Sequence, residues 1–250
     1  MPKIVVITGA SAGIGAATAE LLGRRGEVPV LVARRADALA AVAGRCGPEA
    51  RAIPADVTSR DEVRRVVAEV LAARGRIDVW INNVGRGISR LPSQLTDEDL
   101  EEMLRMNVST ALYGMQEVLP HFEARGEGHI INISSMLGRI PYAVIRSAYG
   151  GAKHFLNALT ATFRAEVQER HPGIQFSTVS PPAVRTDFGL NARHGGTDSR
   201  SLPNTQGVEE VAEVIARVIE TREPEAYTQP GSYDRVVGYY RSLGAPADRS

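Results

Sequence analysis

Short runs of aliphatic and β-branched residues alternate along the chain with longer amphipathic stretches. The runs at 4–8, 28–33, 51–54, 77–82, 129–134 and 174–180 predict strands. Several are apolar without alternation, as parallel strands covered on both faces must be. Between them, apolar residues at helical spacing predict helices at about 14–25, 36–45, 60–74, 97–123, 148–170 and 207–222. In the third of these, Val63, Val66, Val67, Val70 and Leu71 fall on one stripe. Parallel strands joined by helices need right-handed crossovers, so the repetition predicts an α/β fold. The expected form is a single-domain Rossmann-type doubly wound parallel sheet with helices on both faces, spanning residues 1–250. No internal repeat, low-complexity tract or linker divides it. One segment escapes the pattern. Residues 186–206 (TDFGLNARHGGTDSRSLPNTQ) are dense in Gly, Asn, Ser and Pro. A loop this long in a compact domain is a functional lid or a disordered segment, and a substrate lid is the favoured reading. Beyond Pro230 a short terminal helix is expected.

Composition narrows the function classes without choosing one. Twenty-nine basic and 29 acidic residues give a formal net charge of zero, so there is no global field to attract nucleic acid or an anionic membrane. No apolar run approaches the roughly 20 residues of a membrane helix. The single cysteine, Cys46, cannot form an internal disulfide and fits a reducing compartment. The chain enters its first strand almost at once, without a signal-like segment, and a cytoplasmic location is expected. Arginine supplies nearly all the positive charge, the only lysines being Lys3 and Lys153. His121, His129, His154 and His171 show no metal-like clustering and read as surface or packing residues; no metal is expected.

The chemistry sits at strand ends. Directly after the first strand, Thr8-Gly9-Ala10-Ser11-Ala12-Gly13-Ile14-Gly15 opens the first helix. A strand, a glycine turn and a helix N-terminus present free backbone N–H groups to a pyrophosphate. After the second strand, a site preferring NAD would carry an acidic residue for the ribose 2′-OH, but the chain has Ala33-Arg34-Arg35. A guanidinium binds a 2′-phosphate that a carboxylate would repel. Tyr149 and Lys153 are four apart on a predicted helix and share a face. A nearby cation lowers a phenol's pKa from its usual value of ~10 toward general acid–base use. The fifth strand ends in Ser134-Ser135, either of which can bond a substrate oxygen as charge develops on it.

Taken in order, T-G-x-x-x-G-x-G, N-N-x-G at 82–85, the strand-end serine and Y-x-x-x-K resemble the short-chain dehydrogenase/reductase family over nearly the whole chain. The resemblance implies an NAD(P)-dependent oxidoreductase acting on CH–OH/C=O groups, with Tyr149 as general acid and base. Lys153 would hold the nicotinamide ribose, Ser135 the substrate oxygen, and Asn107, fourth member of the tetrad, a proton-relaying water. Gly9, Ser11, Gly13, Ile14 and Gly15 would meet the phosphates. Arg34, helped by Ser11, would read the 2′-phosphate, favouring NADP(H) over NAD(H). Asp56 and Val57 would contact the adenine, Asn83 the ribose side, and Val184 and Thr186 the nicotinamide end. Relatives of this kind are often dimers or tetramers, so a homo-oligomer is expected.

The chain departs from the family pattern in four places. Ala12 stands where some NADP-dependent relatives carry a second basic residue, Val84 replaces an alanine, and Pro182 replaces a glycine, removing an N–H. Ser135 lies fourteen residues before Tyr149, one more than expected, which leaves Ser134 as a minor alternative. Three functions compete: a carbonyl/secondary-alcohol oxidoreductase, a non-catalytic nucleotide-binding regulator on the same fold, and a lyase or isomerase using bound nicotinamide. The intact serine, tyrosine and lysine favour the first. The substrate is a small molecule whose identity is not written in the sequence. Arg193, His194 and Arg200 in the 186–206 segment suit either an anionic ligand or a solvated loop.

Overall fold

The structure, a computed structural model, describes residues 1–242. Seven parallel strands form one sheet in the order β3-β2-β1-β4-β5-β6-β7. They are β1 (Ile4–Thr8), β2 (Val28–Ala33), β3 (Arg51–Pro54), β4 (Val79–Asn82), β5 (Gly128–Ile133), β6 (Ile174–Ser180) and β7 (Glu225–Tyr227). The helices are α1 (Gly13–Arg24), α2 (Ala36–Arg45), α3 (Arg60–Arg74), α4 (Asp97–Leu104), α5 (Thr110–Arg125), α6 (Ser147–Gln168), α7 (Val208–Thr221) and α8 (Ser232–Arg241). This is the single-domain Rossmann-type fold that the alternation predicts.

Side chains on a strand alternate between faces, and each face of this sheet builds its own core. Val5 and Ile7 of β1, with Leu31 and Ile81, pack against Leu22 of α1 and Ile215 of α7. Ile4 and Val6, with Val30 and Trp80, pack against Val66 of α3 and Val118 of α5. Both layers are dry: Val5, Val6, Ile7 and Trp80 are fully buried. Burying a side chain of this size stabilises by about 1.5–3 kcal/mol before entropy is counted. The two-sided burial is why the strands read as unbroken apolar runs.

Three features differ from the predicted elements or add to them. The fourth strand begins at Val79, two residues late, because Asp78 turns its carboxylate to the Ile4 N–H (2.7 Å). The helix predicted at 97–123 is two helices separated by a π turn, Arg105–Ser109. The apolar stripe runs through the junction, so periodicity does not reveal the break. β7 has only three residues, too few for a pattern. The expected terminal helix is α8, whose Val236 packs on Met136 and Ile140 while the Tyr240 hydroxyl donates to Arg139 O (2.9 Å). His129, inside β5, is buried against Ser177 Oγ (2.8 Å), and burial pushes its pKa down to about 3, the behaviour of a packing residue. Among the described residues no helix is long and apolar enough to cross a membrane.

Candidate active site

The strand order reverses between β1 and β4, and open α/β sheets bind ligands at that switch point, beyond the C-terminal strand ends. A cleft of about 1130 Å³ lies there. It collects Gly9 and Gly13 after β1, Arg34 and Arg35 after β2, Asp56 and Val57 after β3, Asn83 to Arg86 after β4, Ser135 after β5, and Val184 and Thr186 after β6. Tyr149 and Lys153 line it from α6. Residues predicted from seven separate segments thus share one cavity, together with Ser11 and Ile14.

At the nucleotide end, Gly9 and Gly13 take φ of 68° and 57°, a backbone that side-chain-bearing residues rarely adopt. Gly15 serves by closeness: a Cβ there would stand 2.6 Å from Gly9 O and 2.6 Å from Asn83 Nδ2. The first turn of α1 has no side-chain cap and no acidic residue. Its N–H groups and positive dipole end therefore remain available to an anion, so this cradle fits a dinucleotide pyrophosphate. Asn83 fastens the turn from below, its Nδ2 donating to Thr8 O (3.1 Å) and Gly9 O (3.3 Å). Val84 fits beside Gly9, with Cγ2 3.1 Å from where a Cβ would sit. Thr186 reaches the same helix start, its Cγ2 3.2 Å from the corresponding position on Gly13.

The two arginines after β2 divide differently from the expected pairing. Ser11 Oγ accepts from Arg35 Nη2 (3.4 Å), while Arg34 acts on Asp56. Burial alone would raise the Asp56 carboxyl, but the Thr58 N–H (3.0 Å) and hydroxyl (2.9 Å), with Arg34 and Arg105, hold it below the usual range. Asp56 is therefore an anion at neutral pH, with one oxygen committed to Thr58.

At the catalytic end, the first turns of α6 bring Tyr149 and Lys153 to the tip of β5. Both are nearly sealed from solvent, 7% and 3% exposed. The Tyr149 hydroxyl faces Ser135, whose Oγ accepts from Leu137 N (3.1 Å). Ser134 turns away: its Oγ lies 2.9 Å from where a Gly138 Cβ would be, beside Lys153 Cβ and Asn157. The extra residue before Tyr149 does not shift the pairing to Ser134. Lys153 Nζ donates to Ile133 O (2.9 Å) and stands 5.8 Å from the Tyr149 ring centre. Burial pushes the Tyr149 hydroxyl up to about 12, although Ser135 and Arg146 pull the other way. Burial also pushes Lys153 down to about 7. The lowered phenol pKa expected from a neighbouring cation is not found in the chain alone, because desolvation outweighs charge.

Asn107 sits in the π turn, and the turn explains its place. Its Nδ2 donates to Met103 O (3.0 Å) and to Arg86 O (2.9 Å), and its Oδ1 accepts from Arg86 N (3.1 Å). The side chain thus replaces a broken helix bond and clamps the loop after β4. A Cβ on Gly85 would come within 2.8 Å of Asn107 Oδ1 and 3.5 Å of Lys153 Nζ, so Asn107 and Lys153 flank one glycine.

The 186–206 segment closes the other wall, joined by bridges Ile88–Arg193 and Val184–Gln206. Its basic residues are already answered. Arg193 pairs with Asp99 and Glu102, His194 Nε2 lies 2.8 Å from Asp99 Oδ1, and Arg200 holds Asp187 (2.5 Å) and Asp198 (3.2 Å). Asp99 is fully buried; burial would raise its carboxyl, but His194, the Thr96 N–H and Arg193 hold it well below the carboxylate range. Arg193 and His194 hold the segment against α4, a role neither sequence reading foresaw, while Arg200 pairs within the segment itself in an exposed position, as a solvated loop would. The sequence pattern gave no sign of two other neighbours of the cleft: Phe188, whose ring meets Tyr149 edge-on at 5.4 Å, and Arg146.

A seven-stranded parallel sheet with a nucleotide cradle and a buried Tyr–Lys pair defines a Rossmann-type oxidoreductase. The short chain dehydrogenase family model matches residues 3–195, and the chain belongs to that family, whose enzymes act on CH–OH/C=O groups. An uncharacterised oxidoreductase of Staphylococcus saprophyticus is 36% identical over 187 residues, 74% of this chain and 76% of that protein. A short-chain dehydrogenase from Sphingobium yanoikuyae, solved with NADPH, is 32% identical with a TM-score of 0.82, each chain covered over 100%. A family member from Burkholderia phymatum, solved with NAD, superposes with a TM-score of 0.88 over 100% of this chain and 98% of its own; at 22% identity it speaks for the fold alone.

Proposed function

We propose that the protein transfers a hydride between NADP(H) and a carbonyl/secondary-alcohol pair, with Tyr149 as the acid and base. The observation that carries this reading is the nearly sealed Tyr149 sharing the cleft with Ser135, with Lys153 one helical turn behind it. When bound, the cofactor supplies or accepts the hydride. Burial keeps Tyr149 protonated at neutral pH, so it is set to donate its proton to a carbonyl oxygen. Ser135 hydrogen-bonds the same oxygen as negative charge grows there. Lys153, held near pH 7, returns a proton to the phenolate and binds the ribose hydroxyls. Asn107 positions Lys153 and the loop after β4 through its bonds to Arg86 and Met103.

Arg34 and Arg35 support the choice of NADP(H). Neither is engaged in an ion pair among the described residues, and both line the cleft beyond the phosphate turn. Ser11, held by Arg35, would complete a 2′-phosphate site. The NADPH found in the Sphingobium neighbour agrees. Asp56 and Val57 would meet the adenine; Val184 and Thr186 would cover the nicotinamide, and residues 186–206 would form the lid. The non-catalytic regulator is not favoured, since it leaves the costly burial of Lys153 without a purpose. A homo-oligomer is inferred from exposed Leu100 and Leu104 on α4 and Phe155 on α6. The deciding experiment is a fluorescence titration with NADPH and NADH, then turnover of a carbonyl and alcohol panel. NADPH should bind more tightly; equal or tighter NADH binding would defeat the arginine assignment.

A further inference from the structure

We infer that Arg146 is the substrate-recognising cation of this site, and that the substrate is an apolar ketone or alcohol bearing a carboxylate. The inference deepens the reductase reading and rests on it for the reacting group.

Arg146 lies in a short turn, Val144–Arg146, directly before α6, three residues ahead of Tyr149. Its side chain is seated between two glycines from opposite walls. Nη1 lies 2.7 Å from where a Cβ on Gly87 would stand, and Nη2 lies 3.1 Å from the same position on Gly196. Nη1 donates to Ile88 O (3.0 Å). Phe188, which touches the Tyr149 ring, stands 2.9 Å from that Gly87 position, so the guanidinium and the catalytic hydroxyl share one corner of the cleft.

What sets Arg146 apart is the absence of a carboxylate against it. Arg86, Arg90, Arg193 and Arg200 each pair with an acidic residue, whereas Arg146 has no ion pair among the described residues. It is half-buried, and burial works against its charge. A desolvated guanidinium with one nitrogen bonded to a carbonyl retains a free edge, Nε and Nη2. That planar fork matches a carboxylate in bidentate geometry. With no second free cation at this corner among the described residues, a singly charged carboxylate fits better than a phosphate. Ser89 Oγ, buried without a partner, lies 2.9 Å from the same Gly196 position and adds a polar group. Tyr142 and Leu202, 50% and 40% exposed, and Phe188 give the mouth an apolar surface beside the Arg200–Asp187 ion pair.

The test uses oxohexanoic acids with the ketone at successive positions, and their methyl esters, with NADPH. For at least one isomer the acid should exceed its ester in kcat/KM by about 30-fold or more, a difference the size of a charge-assisted hydrogen bond. Arg146→Gln should collapse that acid-over-ester ratio, mainly through KM, and Arg146→Lys should restore part of it. A purely structural role would lower acid and ester together and leave the ratio intact, which overturns the inference. Binding separates this failure from failure of the reaction. Hexanoate should bind the NADP⁺-loaded protein, and Arg146→Gln should abolish that binding. If this binding holds but neither these ketones nor the carbonyl and alcohol panel is turned over, the reductase reading falls and the Arg146 assignment stands. If esters match acids, or hexanoate binds both proteins equally, the assignment falls alone.

Discussion

The two ends of the cleft both present arginines, yet they treat them in opposite ways. Beyond the phosphate turn, Arg34 and Arg35 carry no ion pair among the described residues, and Arg35 reaches only Ser11. Across the cleft, Arg193 and Arg200 are neutralised by Asp99, Glu102, Asp187 and Asp198, and the cation left over is Arg146, outside the basic stretch of the 186–206 segment. A basic residue in a loop is therefore a ligand candidate only after its carboxylates have been found. Two helices away in sequence, Asp99 decides what Arg193 is for.

The sharpest way to break the comparison is at its midpoint. Tyr149→Phe should lower kcat by about 10³-fold, within the usual range for a lost general acid, while cofactor binding measured by fluorescence persists. Near-normal turnover would end the mechanism. At the nucleotide end, Arg34→Ala combined with Arg35→Ala should weaken NADPH by about 100-fold and leave NADH affinity nearly unchanged. Equal losses for both cofactors would mean the pair is structural. At the substrate end, Asp99→Asn should leave Arg90, Arg193 and His194 short of a counter-charge. The melting midpoint should fall by several degrees, and limited proteolysis should speed up within 186–206; unchanged cleavage there would show that the segment is held by something else.

The smallest effect is on stability and concerns the shared wall. Burial pushes Lys153 from the ordinary lysine value of 10.5 down to about 7, so between these limits the unfolded chain holds the extra proton. Stability attributable to Lys153 therefore rises with pH from about 7 to 10.5, and its full penalty applies below 7. Lys153→Met should abolish turnover yet stabilise the fold at pH 7 by roughly 1–2 kcal/mol, the gain disappearing above pH ~10.5. Paired denaturant titrations at the two pH values would reveal it, and a destabilised variant at neutral pH would contradict it.

Much of the cofactor half was legible along the chain because its parts are local. A strand, a glycine turn and a helix start fall within residues 4–24, and the backbone itself forms the cradle. The substrate half is assembled from distant segments. Arg146 acquires meaning from Gly87 and Gly196, and Ser135 is distinguished from Ser134 by which of the two faces Tyr149. The π turn at Asn107 hid inside an uninterrupted apolar stripe, since a side-chain amide can take over one backbone bond without changing which residues face the core.

The sequence by itself determined the alternation of strands and helices, the order of the motifs and the tyrosine and lysine on one helix face. These follow from periodicity and near-neighbour geometry, which a linear pattern encodes. Only the tertiary structure decided which charges cancel, which serine meets the tyrosine and what the titration of the buried pair becomes. Ion pairing and desolvation act through space between residues far apart in the chain. The pKa directions of Tyr149 and Lys153 make the point: adjacency on a helix predicts a lowered phenol, and burial at the tip of β5 reverses it.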